Sequence, residues 1–267
     1  MSPSDFFATH PVFTYEEFAV FLDREKPRSA KTRQALLAYH QKRGRIVGVR
    51  RGLYAVVPPG VDPNTCPVDA YLLAGKITED AVLGYHTALE LHGKAYSVFQ
   101  EFRFLTGRAT RPLTFRSYRF QPVRFPASLV ATRKQEFAVQ EMDRSGIAVR
   151  VTTLERTLVD VVDRPDLGGG WEEIWRSLEM VEYFNLEQVV NYALLLDNST
   201  TVAKVGFFLE QHKDRLMVEE RHLTPLRARK PRKPHYLERG REGGRLVSAW
   251  NLVVPAPLLE RSWAEVT

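Results

Sequence analysis

The chain has 267 residues, of which 44% are hydrophobic and 26% charged, and its formal net charge is +6. This composition is typical of a globular protein with one large domain or two to three small ones. No apolar run reaches the ~20 residues of a membrane span, and the N-terminus lacks the basic and apolar regions of a signal peptide. The single cysteine, Cys66, excludes an internal disulfide and a thiolate metal site, so we expect a cytoplasmic protein.

The positive charge is concentrated in two segments. Between Lys26 and Arg51 there are nine lysines and arginines and no acidic residue, and between Arg221 and Arg245 there are nine against two. Residues 61–220 instead hold 18 basic and 23 acidic residues. Because a surface charged only for solubility interleaves the two signs, this distribution favours a polyanion as partner. An ordinary solvated basic face is the alternative explanation.

The first sixty residues predict a small helical domain with a hairpin. Thr14 and Glu17 have the spacing of a capping box, Ser29 is a second helix N-cap, and Gly44 ends the helix that follows. Two β-rich runs on either side of Arg50, Arg51 and Gly52 then predict a β-hairpin. The order helix, helix, turn, helix, hairpin is typical of a winged helix-turn-helix over residues 1–60.

The remainder of the chain predicts a larger mixed domain. Aromatic and basic residues alternate between Phe102 and Phe125, which indicates strands, and helical spacing dominates from Thr153 onwards. We therefore predict an α+β protein with an N-terminal winged helix-turn-helix (1–60) followed by a larger mixed α/β C-terminal domain (61–225). The end of the chain (226–267) is predicted as a basic, proline-rich segment with a terminal strand at 246–254.

The third predicted helix and the hairpin supply the candidate DNA contacts, since a recognition helix meets the major groove with its N-terminal residues. Arg33 can bond guanine and Gln34 adenine, although helical phase alone does not fix which of them faces the groove. The candidate DNA-binding residues are Arg28, Ser29, Lys31, Thr32, Arg33, Gln34, Lys42, Arg43, Arg45, Arg50 and Arg51. A second basic surface is predicted on the strands at Arg103, Arg116, Arg119 and Arg124, with an ordinary half-exposed sheet as the alternative.

Four blocks carry a resemblance to a known family: GRI at 44–46 with VRRGLY at 49–54; YHTALELHG at 85–93; TLERTLVD at 153–160, followed by RP at 164–165 and GGG at 168–170; and AKVGFFLE at 203–210. In these blocks the chain resembles the AbiEi antitoxins, the winged-helix regulators of type IV toxin–antitoxin systems linked to phage defence. The resemblance implies that the protein binds inverted repeats in promoter DNA and represses its own operon. It also implies that the C-terminal domain counters a nucleotidyltransferase-like toxin without a stable complex.

Two other functions remain open. A metal-dependent nuclease could use the carboxylates near the third block (Glu155, Asp160, Asp163, Asp166, Glu172 and Glu173). Glu155 and Asp160 lie ~140° apart on a helix, however, and Asp160 can pair with Arg156 one turn away. We therefore expect no enzyme, no catalytic or metal-binding residue, and no cofactor. A regulator that senses a small ligand through its C-terminal domain is the second alternative.

Overall fold

The computed structural model describes residues 3–24, 27–238 and 244–260. Lys26, Arg239 and Arg241, which belong to the two basic segments, lie outside the described residues. The fold is mixed α+β, as the sequence predicts. Every helix within the described ranges is too short or too polar to span a lipid bilayer.

The N-terminal region contains three helices and three short strands. In chain order these are α1 (Pro3–Thr9), β1 (Val12–Thr14), α2 (Tyr15–Asp23), α3 (Ala30–Lys42), β2 (Ile46–Arg50) and β3 (Leu53–Val56). The strands form one antiparallel sheet in the order β1–β3–β2. Strand β1 was not predicted, because three residues carry too little alternation to be recognised as a strand.

Local signals position these helices. The hydroxyl of Thr14 accepts a hydrogen bond from the Glu17 amide (3.2 Å), and the Glu17 carboxylate accepts one from the Thr14 amide (2.7 Å), so the predicted capping box is formed. Gly44, with φ +66°, ends α3 in the left-handed region that favours glycine. An aromatic core lies beneath the helices and contains Phe6, Phe7, Phe13, Phe18, Leu22, Leu37 and Ile46.

The middle of the chain builds a second, larger sheet. Its elements are α4 (Ala70–Lys76), β4 (Val82–Leu83), α5 (His86–Leu91), β5 (Glu101–Thr106), β6 (Leu113–Phe115), β7 (Tyr118–Arg124), α6 (Ala127–Ala131), β8 (Val139–Arg144) and β9 (Ile147–Thr152). The six strands are arranged in the order β6–β7–β5–β4–β9–β8. The predicted strands between Phe102 and Phe125 correspond to β5, β6 and β7.

The C-terminal part is mostly helical. It contains α7 (Leu154–Asp163), a 3₁₀ turn (Pro165–Leu167), α8 (Trp171–Glu179), α9 (Leu186–Leu195), α10 (Ser199–Gln211), α11 (Glu220–Ala228), β10 (His235–Tyr236), β11 (Arg245–Val247), β12 (Leu252–Val254) and α12 (Ala256–Glu260). The predicted strand at 246–254 is divided into β11 and β12 by a turn in which Asn251 has φ +50°.

Contacts divide the chain into two compact units. The first consists of Met1–Leu83, Gln100–Pro122 and Glu141–Arg150, and the second of Gly84–Phe99, Val123–Gln140 and Val151–Thr267. The predicted domain boundaries at residues 60 and 225 stay predictions, because grouping by contact does not define which segments fold alone.

A buried charge network organises the second unit. Arg156 is fully buried, and its Nη1 donates to the carbonyls of Gln135 (2.8 Å) and Phe137 (2.7 Å). Its Nε lies 3.4 Å from Asp160, the ion pair that their spacing predicts, and the Tyr192 hydroxyl donates to the other Asp160 oxygen (2.7 Å). Burial raises the pKa of Asp160 to about 6. These contacts give the third resemblance block a structural role inside the unit.

Candidate nucleic-acid interface

Helix α3 lies at the centre of the predicted DNA-binding site. Ser29 caps it: its hydroxyl accepts a hydrogen bond from the Thr32 amide (3.2 Å) and lies 2.9 Å from the Thr32 hydroxyl. There is no acidic residue in the first turn of the helix. The amide dipoles at this end therefore present an uncompensated partial positive charge, which favours an anion such as a phosphate.

One side of α3 is buried and the other is exposed. Leu37 and His40 are buried in the core, with Arg33 and Leu36 half-buried beside them. At 100° per residue, the opposite side carries Lys31, Gln34, Ala35, Ala38, Gln41 and Lys42, all of which are exposed. We call these six residues the exposed α3 face. Along the helix axis, Ala35 and Ala38 lie at the middle of this face, and Lys31 and Lys42 lie near its two ends.

More cations follow where α3 ends and the β2–β3 hairpin begins. Arg43 and Arg45 are exposed, and the Arg43 guanidinium lies over the ring of Tyr39, 5.6 Å from its centroid. Arg51 is exposed at the hairpin turn, beside Gly52 with φ +80°. These residues continue the positive charge of the exposed α3 face towards the tip of the hairpin.

Five of the predicted DNA-binding cations are exposed and have no acidic partner in the described part of the chain. Among the described residues, no ion pair involves Lys31, Lys42, Arg43, Arg45 or Arg51. Placing unneutralised like charges near one another costs electrostatic free energy in the isolated protein. A polyanion bound there would remove that cost.

Arg33 has a different environment from its neighbours on α3. Its guanidinium is only 21% exposed and donates to the carboxylate of Asp23, whose second oxygen accepts a hydrogen bond from the Arg28 amide (3.0 Å). The hydrogen bond that Arg33 donates to the Tyr15 oxygen and the charge of Asp23 raise the pKa of Arg33. Arg33 therefore connects α3 to the end of α2, a contact that the sequence analysis missed. The acid-free run is preceded by two acidic residues, Glu25 and Asp23. Asp23 was therefore the signal in the sequence for a partner of Arg33.

Arg50 also has partners within the first unit. It donates to the backbone carbonyl of Ile77, and its other terminal nitrogen lies 3.5 Å from the Thr110 hydroxyl. The residue itself remains exposed. Of the two arginines predicted at the hairpin tip, Arg51 thus has the freer side chain.

His40 is buried beneath the exposed α3 face. It is 4% exposed, its ring meets Phe7 edge to face with centroids 4.9 Å apart, and its Nδ1 has no hydrogen-bond partner among the described residues. Burial and the charge of Arg45 lower the pKa of His40. The imidazole is consequently held in its neutral form next to the proposed DNA contacts.

The predicted second basic surface is partly neutralised. Glu101 lies 2.6 Å from Arg103 and 3.9 Å from Arg119, and Arg103 is only 12% exposed. Arg116 donates to the carbonyl of Pro63 (2.8 Å) and contacts the Cys66 sulfur (3.2 Å). Arg124 is exposed and belongs to the second unit. The contacts of Arg103 and Arg116 favour the half-exposed sheet over a shared binding surface.

The carboxylates considered for a nuclease are bonded to other residues. In addition to the Arg156–Asp160 pair, Glu173 accepts from the fully buried His86 (3.0 Å), and Glu155 accepts from the Asn185 amide (3.1 Å). The described ranges contain no group of three or more His, Cys, Asp and Glu residues that could hold a metal ion. The nuclease hypothesis thus gains no support from the positions of these carboxylates.

A polar cleft of about 1340 Å³ lies in the second unit. Its lining includes Asp163, Arg164, Trp171, Lys204 and His235. The Lys204 ammonium is mostly buried, lies 3.3 Å from the Asp163 carbonyl, and is 5.7 Å from the Trp171 ring centroid. The cleft is larger than the ~300–1,000 Å³ of most small-molecule pockets, and its lining mixes both signs of charge.

No protein-family model and no curated protein matches the chain. Among solved structures, the chain is similar to the RV2827C protein from Mycobacterium tuberculosis, with a TM-score of 0.62 and 18% sequence identity. The similarity covers 97% of this chain and 92% of that chain. At this level of identity the comparison shows a shared α+β fold.

Proposed function

We propose that this protein is a DNA-binding antitoxin of the AbiEi type that represses its own promoter. In this proposal α1, β1, α2, α3 and the β2–β3 hairpin form a winged helix-turn-helix, with α3 as the recognition helix and the hairpin as the wing. The order of these elements and the antiparallel β1–β3–β2 sheet support this assignment. The partner is double-stranded promoter DNA containing inverted repeats.

One observation carries the DNA-binding proposal: Lys31, Lys42, Arg43, Arg45 and Arg51 are exposed and have no acidic partner among the described residues. Each cation that neutralises a phosphate releases counterions, so binding of this kind weakens steeply as salt rises. Ser29, Thr32 and the first amides of α3 add uncharged donors for phosphate oxygens.

The antitoxin part of the proposal is supported by the sequence resemblance. In that role the protein is cytoplasmic, needs no cofactor and catalyses no reaction, and it counters a nucleotidyltransferase-like toxin without forming a stable complex. A nucleotidyltransferase gene next to this one would support the proposal. Co-expression of the two genes should then restore growth that the toxin alone stops.

The DNA-binding test uses the full chain and a duplex from its own upstream region. We expect binding at low salt that weakens as salt rises. A charge-reversed variant, Lys31→Glu with Lys42→Glu, should lose most of this binding. The control is Arg133→Glu with Lys134→Glu, which reverses two exposed cations of the second unit that lie outside both basic segments. Equal binding by both variants would contradict the proposed interface.

A second candidate function, a regulator that senses a small ligand, is favoured by the polar cleft of the second unit. In that case a small molecule that binds the cleft would alter operator affinity. An isolated gene with no toxin neighbour would favour this function over the antitoxin.

A further inference from the structure

The exposed α3 face indicates which bases the protein recognises, an inference that rests on the proposed DNA-binding function. The centre of this face is formed by Ala35 and Ala38. Methyl side chains allow a helix backbone to come close to the floor of the major groove, where longer side chains would hold it away. The same two methyl groups offer an apolar surface to the groove.

The residue best placed to form hydrogen bonds from this surface is Gln34. It is exposed, lies in the second turn of α3, and shares the face with Ala35 and Ala38. A glutamine amide can accept from the adenine N6 amino group and donate to N7 at the same time. Alanine methyl groups make apolar contacts with the thymine methyl group. Both chemistries select the same kind of base pair.

The guanine-reading alternative is disfavoured by the position of Arg33. Its guanidinium is paired with Asp23 on the half-buried side of α3, well away in helical phase from Ala35 and Ala38. Lys31 and Lys42 lie towards the two ends of the exposed face, where the flanking backbones of a groove would pass. We infer that α3 reads A·T base pairs, with Gln34 bonding adenine and Ala35 and Ala38 contacting thymine methyl groups.

The test is selection of preferred sequences from a pool of randomised duplexes by the full-length protein. The wild type should enrich a motif with A·T pairs in each half-site. Gln34→Ala should lose preference at one A·T position, with affinity for the selected duplex reduced about 5- to 150-fold, the range of a good bidentate base contact. Its affinity for random DNA should be nearly unchanged.

Gln188→Ala is the matched control, because it removes an exposed glutamine from α9 of the second unit, outside the exposed α3 face. It should select the wild-type motif. A second measurement keeps the protein unchanged and replaces the thymines of the motif by uracil, which removes only the methyl groups. Wild-type affinity should fall several-fold.

Three results would overturn the inference: unchanged selection by Gln34→Ala, equal losses on selected and random duplexes, or no effect of uracil. A motif with G·C pairs at the position that Gln34→Ala relaxes would also overturn it. If the wild type binds no duplex at low salt, the proposed function itself fails. The two failures are therefore distinguishable.

Discussion

Asp23 at the end of α2 forms an ion pair with Arg33 in the first half of α3. The same carboxylate accepts a hydrogen bond from the amide of Arg28, which precedes the N-cap of α3. Both contacts fix the direction in which α3 leaves α2. In a helix-turn-helix this direction determines how the recognition helix enters the groove.

We predict that Asp23→Ala weakens DNA binding although it removes a negative charge near the DNA. Loss of the pair should also lower the melting temperature, and Arg33→Ala should have a similar effect on stability. The double variant should be little worse than either single one, because both remove one shared interaction. Calorimetry and binding titrations of the four proteins check this.

Glu16→Gln is the control for charge. Glu16 is an exposed acid on α2, so its replacement changes the net charge equally. We expect unchanged or slightly tighter DNA binding. If Asp23→Ala bound DNA as tightly as Glu16→Gln, the Asp23–Arg33 pair would not position α3.

Arg51 should account for part of the salt dependence of binding. If it contacts one phosphate, Arg51→Ala should reduce the slope of log K against log salt by about 0.9. Arg50→Ala should instead lower stability, because it removes the contact with the Ile77 carbonyl. Titrations at several salt concentrations test this division, with Lys134→Ala, which removes an exposed lysine of the second unit outside both basic segments, as control. An unchanged slope for Arg51→Ala would place the hairpin turn away from DNA.

Protonation of His40 at acidic pH should lower the stability of the first unit. Its pKa is lowered by burial, so the folded protein binds a proton less readily than the unfolded chain. The stabilisation is fully present above the ordinary pKa of about 6.5, and it is lost as pH falls through the lowered value. His40→Phe should weaken this pH dependence while preserving the edge-to-face contact with Phe7.

The free energy of unfolding of the first unit can be measured at pH 5 and pH 7.5 by following the Leu37 methyl NMR signals during urea unfolding. His10→Gln removes a half-buried imidazole from the same unit and serves as control. If His40→Phe retained the full loss of stability at pH 5, another group would be responsible.

The packing of the C-terminal segment against α10 should depend on the absence of a side chain at Gly206. A Cβ on Gly206 would overlap the ring of Trp250, whose Nε1 donates to Glu210 (2.7 Å) on the same helix. Overpacking of a core typically costs ~1–3 kcal/mol, so Gly206→Ala should destabilise the protein by that amount. Adding Trp250→Phe should restore part of the loss, as measured by chemical unfolding. Additive losses would show that the two residues do not share this contact.

The local signals of the N-terminal region were sufficient to predict much of its structure. Thr14, Ser29 and Gly44 act on backbone groups within a few residues, and the structure has helix boundaries at each of them. The alternation between Phe102 and Phe125 likewise predicted strands correctly. The caps act within a few residues, and the alternation that marks a strand with one buried face can be read from the segment alone.

The partners of individual arginines could not be predicted in the same way. Arg33 and Arg50 belong to the same acid-free run as Lys31 and Arg51, but their guanidinium groups meet Asp23 and the Ile77 carbonyl. Helical phase and chain topology, rather than residue type, decide which cations remain exposed. The cleft of the second unit was also invisible in the sequence, since it is lined by residues from five separate stretches between Asp163 and Glu238.

The first compact unit is assembled from three stretches of chain that end at residue 150. During translation, its last strands leave the ribosome only after nearly a hundred residues beyond the β2–β3 hairpin have been made. A nascent chain, or a chain truncated by an early stop codon, would therefore contain α3 and the hairpin without Ile77 and Thr110, the partners of Arg50. A graft of the hairpin that keeps the partners of Arg50 would have to carry Ile77 and Thr110 as well, joined by new linkers.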